Sequence, residues 1–230
     1  MKKLMLIGGG DTGRGNTPYN TKEIDEEIVK MTGKENPNFL FIGLASSHSD
    51  SYYDTMKKIF RDLGCTPVYL KKSNLVNNPD IVKQKINDAD IIYICGGDTV
   101  KLLDHVKEYN LESLLKEAYN KGTVLAGMSA GAILLSNKGF SDSLIIREES
   151  DKYEFLKGLN FIDINFCPHY NTDPKKTTDL EEYLSNSNDE VYCLENCTAL
   201  KVIDNEISII KSDKNAKVYI VSNKEIKEIA

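Results

Sequence analysis

The stretch Thr123–Asn137, TVLAGMSAGAILLSN, decides how this chain is read. An apolar run leads into Gly127-Met128-Ser129-Ala130-Gly131, and a second apolar run follows at once. G-x-S-x-G between a strand and a helix is the pattern of a nucleophile elbow, in which a tight turn presents a serine hydroxyl above the edge of a sheet. Such a turn holds its serine in strained backbone geometry, and small neighbours let the chains pack that closely. The helix that starts after it would bring the Ala130 N–H and a partial positive charge to where an oxyanion develops. A Gly/Ala/Ser-rich turn that merely packs under a helix is the plainer reading. The strand before and the helix after favour the nucleophile.

Outward from this stretch the chain alternates. Leu4–Ile7, Phe39–Leu44, Thr66–Leu70, Asp90–Cys95 and Thr123–Ala126 are short continuous apolar runs, as expected of strands covered on both faces. Between them lie amphipathic stretches at Thr21–Met31, Tyr52–Leu63, Pro79–Asn87, Val100–Tyr109 and Leu111–Asn120. In Val100–Tyr109, the residues Val100, Leu103 and Val106 share one helical face. The alternation predicts an α/β fold, a mostly parallel sheet flanked by helices. After about residue 190 the rhythm changes to strands at Val191–Leu194, Ala199–Ile203, Ile207–Lys211 and Val218–Val221, expected to form a C-terminal antiparallel extension. With no repeat or Pro-rich linker in 230 residues, the expectation is one domain, 1–230.

Composition narrows the function classes. Hydrophobic residues are 40% and charged residues 28%, an ordinary globular mix. The net charge of −6, three arginines (Arg14, Arg61, Arg147) and scattered lysines supply no phosphate-binding stripe, so no nucleic-acid partner is expected. No apolar run is long enough for a bilayer, and Leu4–Ile7 is too short for a signal sequence, so a cytoplasmic protein with no membrane partner is expected. The five cysteines are odd in number and read as small core residues; Cys193 and Cys197 lack a second ligand pair, so no metal is expected. Gly8-Gly9-Gly10-Asp11-Thr12-Gly13 fits G-x-G-x-x-G, yet no helix opens there and no acid ends the second strand. That pattern therefore does not imply a dinucleotide, and no cofactor is expected.

A nucleophilic serine needs a base, and the chain has three histidines. His48 lies in a polar loop and is held in reserve. His105 falls on neither apolar row of its helix and is expected at the surface. His169, in FCPHYN after a strand at Asp163–Cys167, stands where α/β sheets present functional groups. For the acid that orients it, Glu195 at the end of VYCLE is preferred and Asp142 is the other candidate. Gly96 and Gly97, in ICGGDT, can bring backbone close to a ligand, with the Gly97 N–H pairing that of Ala130 in an oxyanion hole. Asp98 or Thr99 is the N-cap of the following helix.

LIGGG, ICGGDT, GMSAGA, CPHYN and LENCTAL, in this order from residue 4 to about residue 203, resemble peptidase family S51. That family includes aspartyl dipeptidases (peptidase E) and, more distantly, cyanophycinase. The resemblance implies a fold like the class I glutamine amidotransferases, with serine in place of their cysteine. It also implies a Ser-His-Glu set on Ser129, His169 and Glu195, with Asp142 matching an aspartate that has been discussed as the acid. The activity implied is hydrolysis of short peptides through an acyl-enzyme. An esterase or amidase with the same serine, or a non-catalytic ligand-binding relative, are the alternatives. In the aspartyl dipeptidases the segment after the histidine bears arginine to meet a substrate carboxylate. Here YNTDPKKTTDLEEYL bears none, which leaves Lys175, Lys176 and Arg147, with Asp98 and Asn171 as further substrate contacts. The expected partner is a small peptide, and open sheet edges leave room for a homodimer.

Overall fold

The computed structural model describes residues 1–230. Its first half alternates as β1 (Lys3–Ile7), α1 (Lys22–Thr32), β2 (Asn38–Ile42), α2 (Ser49–Asp62), β3 (Thr66–Leu70), α3 (Lys72–Asn77), α4 (Pro79–Asp88), β4 (Ile91–Ile94), α5 (Thr99–Glu108), α6 (Leu111–Lys121), β5 (Val124–Met128) and α7 (Ala130–Leu135). The second half is strand-rich: β6 (Lys138–Ser141), α8 (Ser143–Ile146), β7 (Glu154–Lys157), β8 (Asn165–Cys167), α9 (Pro174–Ser185), β9 (Val191–Leu194), β10 (Thr198–Ile203), β11 (Glu206–Lys211), β12 (Val218–Val221) and β13 (Ile226–Glu228).

Two sheets result. The seven-stranded sheet has the order β11-β10-β1-β5-β4-β2-β3, parallel from β1 to β3 and antiparallel at β10 and β11. The six-stranded sheet has the order β13-β12-β9-β8-β6-β7, with β6, β8 and β9 parallel. The expected C-terminal extension is thus divided. β10 and β11 extend the first sheet, whereas β9, β12 and β13 belong to the second, where β9 runs parallel to β8. Apolar runs identify strands but not their partners, and the short, mixed β6 (KGFS) gave no signal of a second sheet. The chain leaves the second sheet at Leu194 and joins the first at Thr198, so Glu195–Cys197 bridges the two.

β1, β4 and β5 are central because their apolar residues are covered on both faces; every residue of β4 and β5 is buried. Phe39 and Phe60 stack at 3.8 Å between centroids, with Tyr93 against both and Phe41 against Tyr93. Helix starts follow their caps: Asn78 Oδ1 accepts from Ile81 N–H at 3.2 Å before Pro79, and Asp173 Oδ1 accepts from Lys175 N–H at 2.9 Å before Pro174. Asp98 caps α5 by accepting from Lys101 N–H at 3.1 Å. The inward row of α5 is Leu102, His105 and Val106, not Val100, Leu103 and Val106. His105 is therefore buried rather than solvated, with Nδ1 3.3 Å from the Leu44 carbonyl oxygen. A histidine on an inward row is tolerated when a backbone carbonyl meets its ring N–H. All five cysteines are buried. No helix is long and apolar enough to cross a membrane.

Asp25, on α1, is fully buried. Its Oδ2 accepts from Tyr19 Oη at 3.1 Å and Thr21 Oγ1 at 3.0 Å, while Oδ1 and the nearby Tyr93 Oη lack partners. Burial raises its carboxyl from 3.8 to about 7, the two hydrogen bonds opposing the shift. The folded state then holds more protons than the unfolded one between those values, so stability is full below about pH 4 and falls as pH rises through 7. The melting temperature should drop between pH 5 and pH 8, and Asp25→Asn should flatten that slope. An unchanged slope in the variant would remove Asp25 as its origin.

Candidate active site

The strand-to-helix turn is tight. Ser129 has φ 50° and ψ −108°, and its N–H donates to the Ile7 carbonyl on β1 at 3.0 Å. A Cβ on Gly127 would overlap the Gly131 backbone, and one on Gly131 would overlap the Ile94 carbonyl, so only glycine lets α7 sit this close to β4 and β5. Ser129 is half-buried, and its hydroxyl makes no hydrogen bond within the protein. Ala130 opens α7, so its N–H has no carbonyl a turn earlier to donate to. The Gly97 N–H likewise donates to no backbone carbonyl. Gly96 faces the serine: a Cβ there would stand 3.4 Å from Ser129 Cβ.

His169 follows β8 in the left-handed region, φ 75°. Several bonds hold it there. Its own N–H and that of Tyr170 donate to the Leu194 carbonyl at 3.2 and 3.0 Å, and its carbonyl accepts from Thr172 Oγ1 at 2.8 Å. Lys176, only 3% exposed, donates from Nζ to the Pro168 carbonyl at 2.8 Å and lies 4.9 Å from the Tyr153 ring centroid. The His169 ring is fixed by Asn196, whose Oδ1 is 2.6 Å from Nδ1. With an amide oxygen there, Nδ1 carries the proton and Nε2 keeps its lone pair free. Burial pushes the His169 imidazolium down from its ordinary value, and the Lys176 charge adds to this; Asn196 and Asp142 oppose it. The ring is neutral near pH 7.

Gly9 unites the two halves. β1 pairs with β5 (Ile7 opposite Met128), and two residues later Gly9, φ 148°, lies so close to His169 that a Cβ would overlap the imidazole and Asn196 Oδ1. Its carbonyl accepts from Cys197 N–H at 2.9 Å. Within the N-terminal glycine run it is Gly9, an x position of the G-x-G-x-x-G pattern, that must lack a side chain because a histidine lies against it, whereas Gly8 faces Leu194 and Glu195 and Gly10 faces Thr21. Of the non-glycine residues with positive φ, three are at this place: Ser129, His169 and Cys197. Each such conformation costs about 1–3 kcal/mol, and their clustering marks a site.

The other expected residues separate. Glu195 does not reach His169: Oε2 accepts from the Lys217 N–H at 2.8 Å, and the residue after it takes the expected place. The alternation of the chain leaving β9 turns successive side chains apart, which explains the one-residue difference. Asp142, before α8, makes no side-chain hydrogen bond but lies close enough for its charge to act on His169, Lys176 and Tyr153. Asn171 Oδ1 accepts from the Asn196 N–H at 3.3 Å and so braces that loop. Arg147 and Asp98 pair with each other at 2.8 Å. Lys175 pairs with Asp179 at 3.1 Å. His48, the reserve base, is exposed at the start of α2 beside Ser47. Asn196 and Gly9 were not read from the sequence. The signal for Asn196 was available in LENCT, since an amide oxygen accepts from imidazole as a carboxylate does.

The sequence profile described as Peptidase family S51 matches residues 4–210. The chain belongs to peptidase family S51. It is 32% identical over 235 residues to "Uncharacterized peptidase YgaJ" of Bacillus subtilis (strain 168), covering 100% of this chain and 96% of that one. It is 30% identical over 161 residues to "Peptidase E" of Shewanella denitrificans, covering 68% of this chain and 63% of that one. In fold it is similar to the crystal structure of a peptidase from an acI-B1 Actinobacterium, with TM-score 0.75 and 22% identity over 100% of this chain and 94% of that one. A putative peptidase E protein from Listeria monocytogenes EGD-e matches with TM-score 0.68 and 22% identity, over 92% and 98% of the two chains.

The S51 geometry makes the roles of neighbouring residues separable. Gly9→Ala, which displaces the imidazole, should lower kcat/KM for peptide hydrolysis by about 10²-fold, the scale of an ångström-sized misplacement. Asn196→Ala should lower it more than Glu195→Ala does. A larger loss in Glu195→Ala, measured on the same peptide, would return the orienting role to the carboxylate.

Proposed function

We propose that this S51 peptidase cleaves short peptides by a serine mechanism. The observation that carries the reading is the shared edge: Ser129, in a strained turn, is bonded through its N–H to Ile7 at the end of β1, and two residues on Gly9 lies against a neutral His169 whose Nδ1 is held by Asn196. Ser129 Oγ attacks the scissile carbonyl while His169 Nε2 takes its proton. The carbonyl oxygen becomes an oxyanion, which the N–H groups of Ala130 and Gly97, neither of them bonded to a backbone carbonyl, would receive; losing one such donor costs about 10²–10³ in rate. The tetrahedral intermediate collapses as the C–N bond breaks, and His169 returns the proton to the leaving amine. Water then attacks the acyl-enzyme with His169 again as base, which releases the acid and restores Ser129. Asn196 fixes the tautomer, as asparagine does in cysteine peptidases of the papain type. Asp142 adds negative charge near the imidazolium that forms. In the resting enzyme Ser129 Oγ is not yet bonded to the histidine, and catalytic hydrogen bonds of this kind tighten when substrate arrives. The peptidase E relatives support a dipeptidase or other exopeptidase.

The test is mass spectrometry of a panel of X-Ala dipeptides incubated with the wild-type protein and with Ser129→Ala. Cleavage in the first and none in the second is expected. Full activity in Ser129→Ala overturns the mechanism, and turnover of simple esters without peptides reassigns the same serine to an esterase. The pH profile gives a second check. His169 must be neutral to act as base, so kcat/KM should hold below pH 6.5 and be lost only as pH falls through its lowered value. An acidic limb above 6.5 contradicts this.

A further inference from the structure

A short peptide is ionised at its C-terminus and, in the aspartyl case, at a side chain, so an enzyme that acts on it gains from a fixed cation near its nucleophile. The cations that the family resemblance suggests are already engaged. Arg147 is bonded to Asp98 at 2.8 Å, Lys175 to Asp179 at 3.1 Å, and the buried Lys176 to the Pro168 carbonyl at 2.8 Å. Arg14 makes no ion pair. Its guanidinium stacks on the Tyr52 ring, 4.0 Å from the centroid.

Arg14 is also held in place. It sits at the tip of a small hairpin in which Thr12 bridges Tyr19, Gly13 N–H donates to the Pro18 carbonyl at 2.9 Å, and Thr17 Oγ1 donates to the Arg14 carbonyl at 2.9 Å. The hairpin rises from Gly10, next to the glycine that touches His169. Its aromatic platform is rooted in the site: Tyr52 is 3% exposed and its hydroxyl donates to Met128 Sδ at 3.2 Å, one residue before Ser129. An arginine stacked on an aromatic face keeps its planar edge free for a bidentate carboxylate.

We propose that Arg14 is the residue that binds a carboxylate of the peptide substrate, a specificity determinant supplied by the N-terminal hairpin rather than by the segment after the histidine. This rests on the reading of Ser129 as the nucleophile. Lys101, which also lacks an ion pair, lines a hollow of about 260 Å³ beside Gly97 and serves as the control.

The experiment measures kcat/KM for Asp-Ala, Ala-Ala and Asp-Ala amide with wild-type protein, Arg14→Gln, Arg14→Lys and Lys101→Gln. Arg14→Gln should lose about 10–100-fold, mainly in KM, on peptides that carry the bound carboxylate, the range of a charge-assisted hydrogen bond. Arg14→Lys should recover part of that loss. A loss on Asp-Ala and Ala-Ala that spares the amide assigns the C-terminal carboxylate. A loss on Asp-Ala and its amide that spares Ala-Ala assigns the side chain. Equal losses on all three, no loss, or a loss found in Lys101→Gln instead overturns the proposal. If the wild type cleaves none of them, the dipeptidase reading fails, and calorimetry of Asp-Ala against Ser129→Ala and Ser129→Ala with Arg14→Gln decides Arg14 separately. Tenfold weaker binding in the second supports it; equal or absent binding in both overturns it.

Discussion

The contact of Gly9 with His169 and Asn196 is the constraint on which the site depends. Ser129 belongs to the first sheet and His169 to the second, and no strand pairing joins the two sheets. They are tied at their edge by short bonds through one strip of backbone: Cys197 N–H to the Gly9 carbonyl, and His169 and Tyr170 N–H to the Leu194 carbonyl. The ring–amide bond of 2.6 Å lies directly against this strip. A side chain at Gly9 would push the imidazole away, so the absence of a Cβ at one position sets the distance between the two halves.

The strain stored here is supported by its surroundings. Ser129 is held by the hydrogen bond from its N–H to the Ile7 carbonyl on β1 and by the close packing of Gly127 against Gly131 and of Gly131 against Ile94. His169 is held by a buried ammonium whose desolvation is offset by a carbonyl oxygen and the Tyr153 face. That ammonium also disfavours the imidazolium, while the unpaired charge of Asp142 favours it. The balance leaves a neutral imidazole with a negative group close by. In the proposed serine mechanism these two effects would belong to different steps.

Elsewhere the molecule uses ordinary means. Central strands are buried on both faces, helices start at Asn, Asp and Pro, and an aromatic group fills the space between β2, β4 and α2. Asp25 is the exception, a buried carboxyl that sits behind the N-terminal hairpin with Tyr19 and Thr21. Burial raises its carboxyl above the ordinary range, the two hydrogen bonds opposing the shift.

The sequence by itself determined the strand–helix alternation, the serine turn and the histidine, because each depends on local rules: apolar period, glycine next to a tight turn, a polar residue at a strand end. Tertiary structure alone decided the second sheet, since apolar runs do not encode their partners and β9 finds β8 through space. It also decided which of Glu195 and Asn196 meets the imidazole, a matter of side-chain direction at a strand end that a one-residue shift reverses. His105 turned inward for the same reason, on a helical row displaced by one position from the apolar one. The N-terminal glycines show the difference most plainly. Their run is visible in the sequence, but the reason that Gly9 within it carries no side chain, a histidine more than a hundred residues away pressed against it, exists only once the chain has folded.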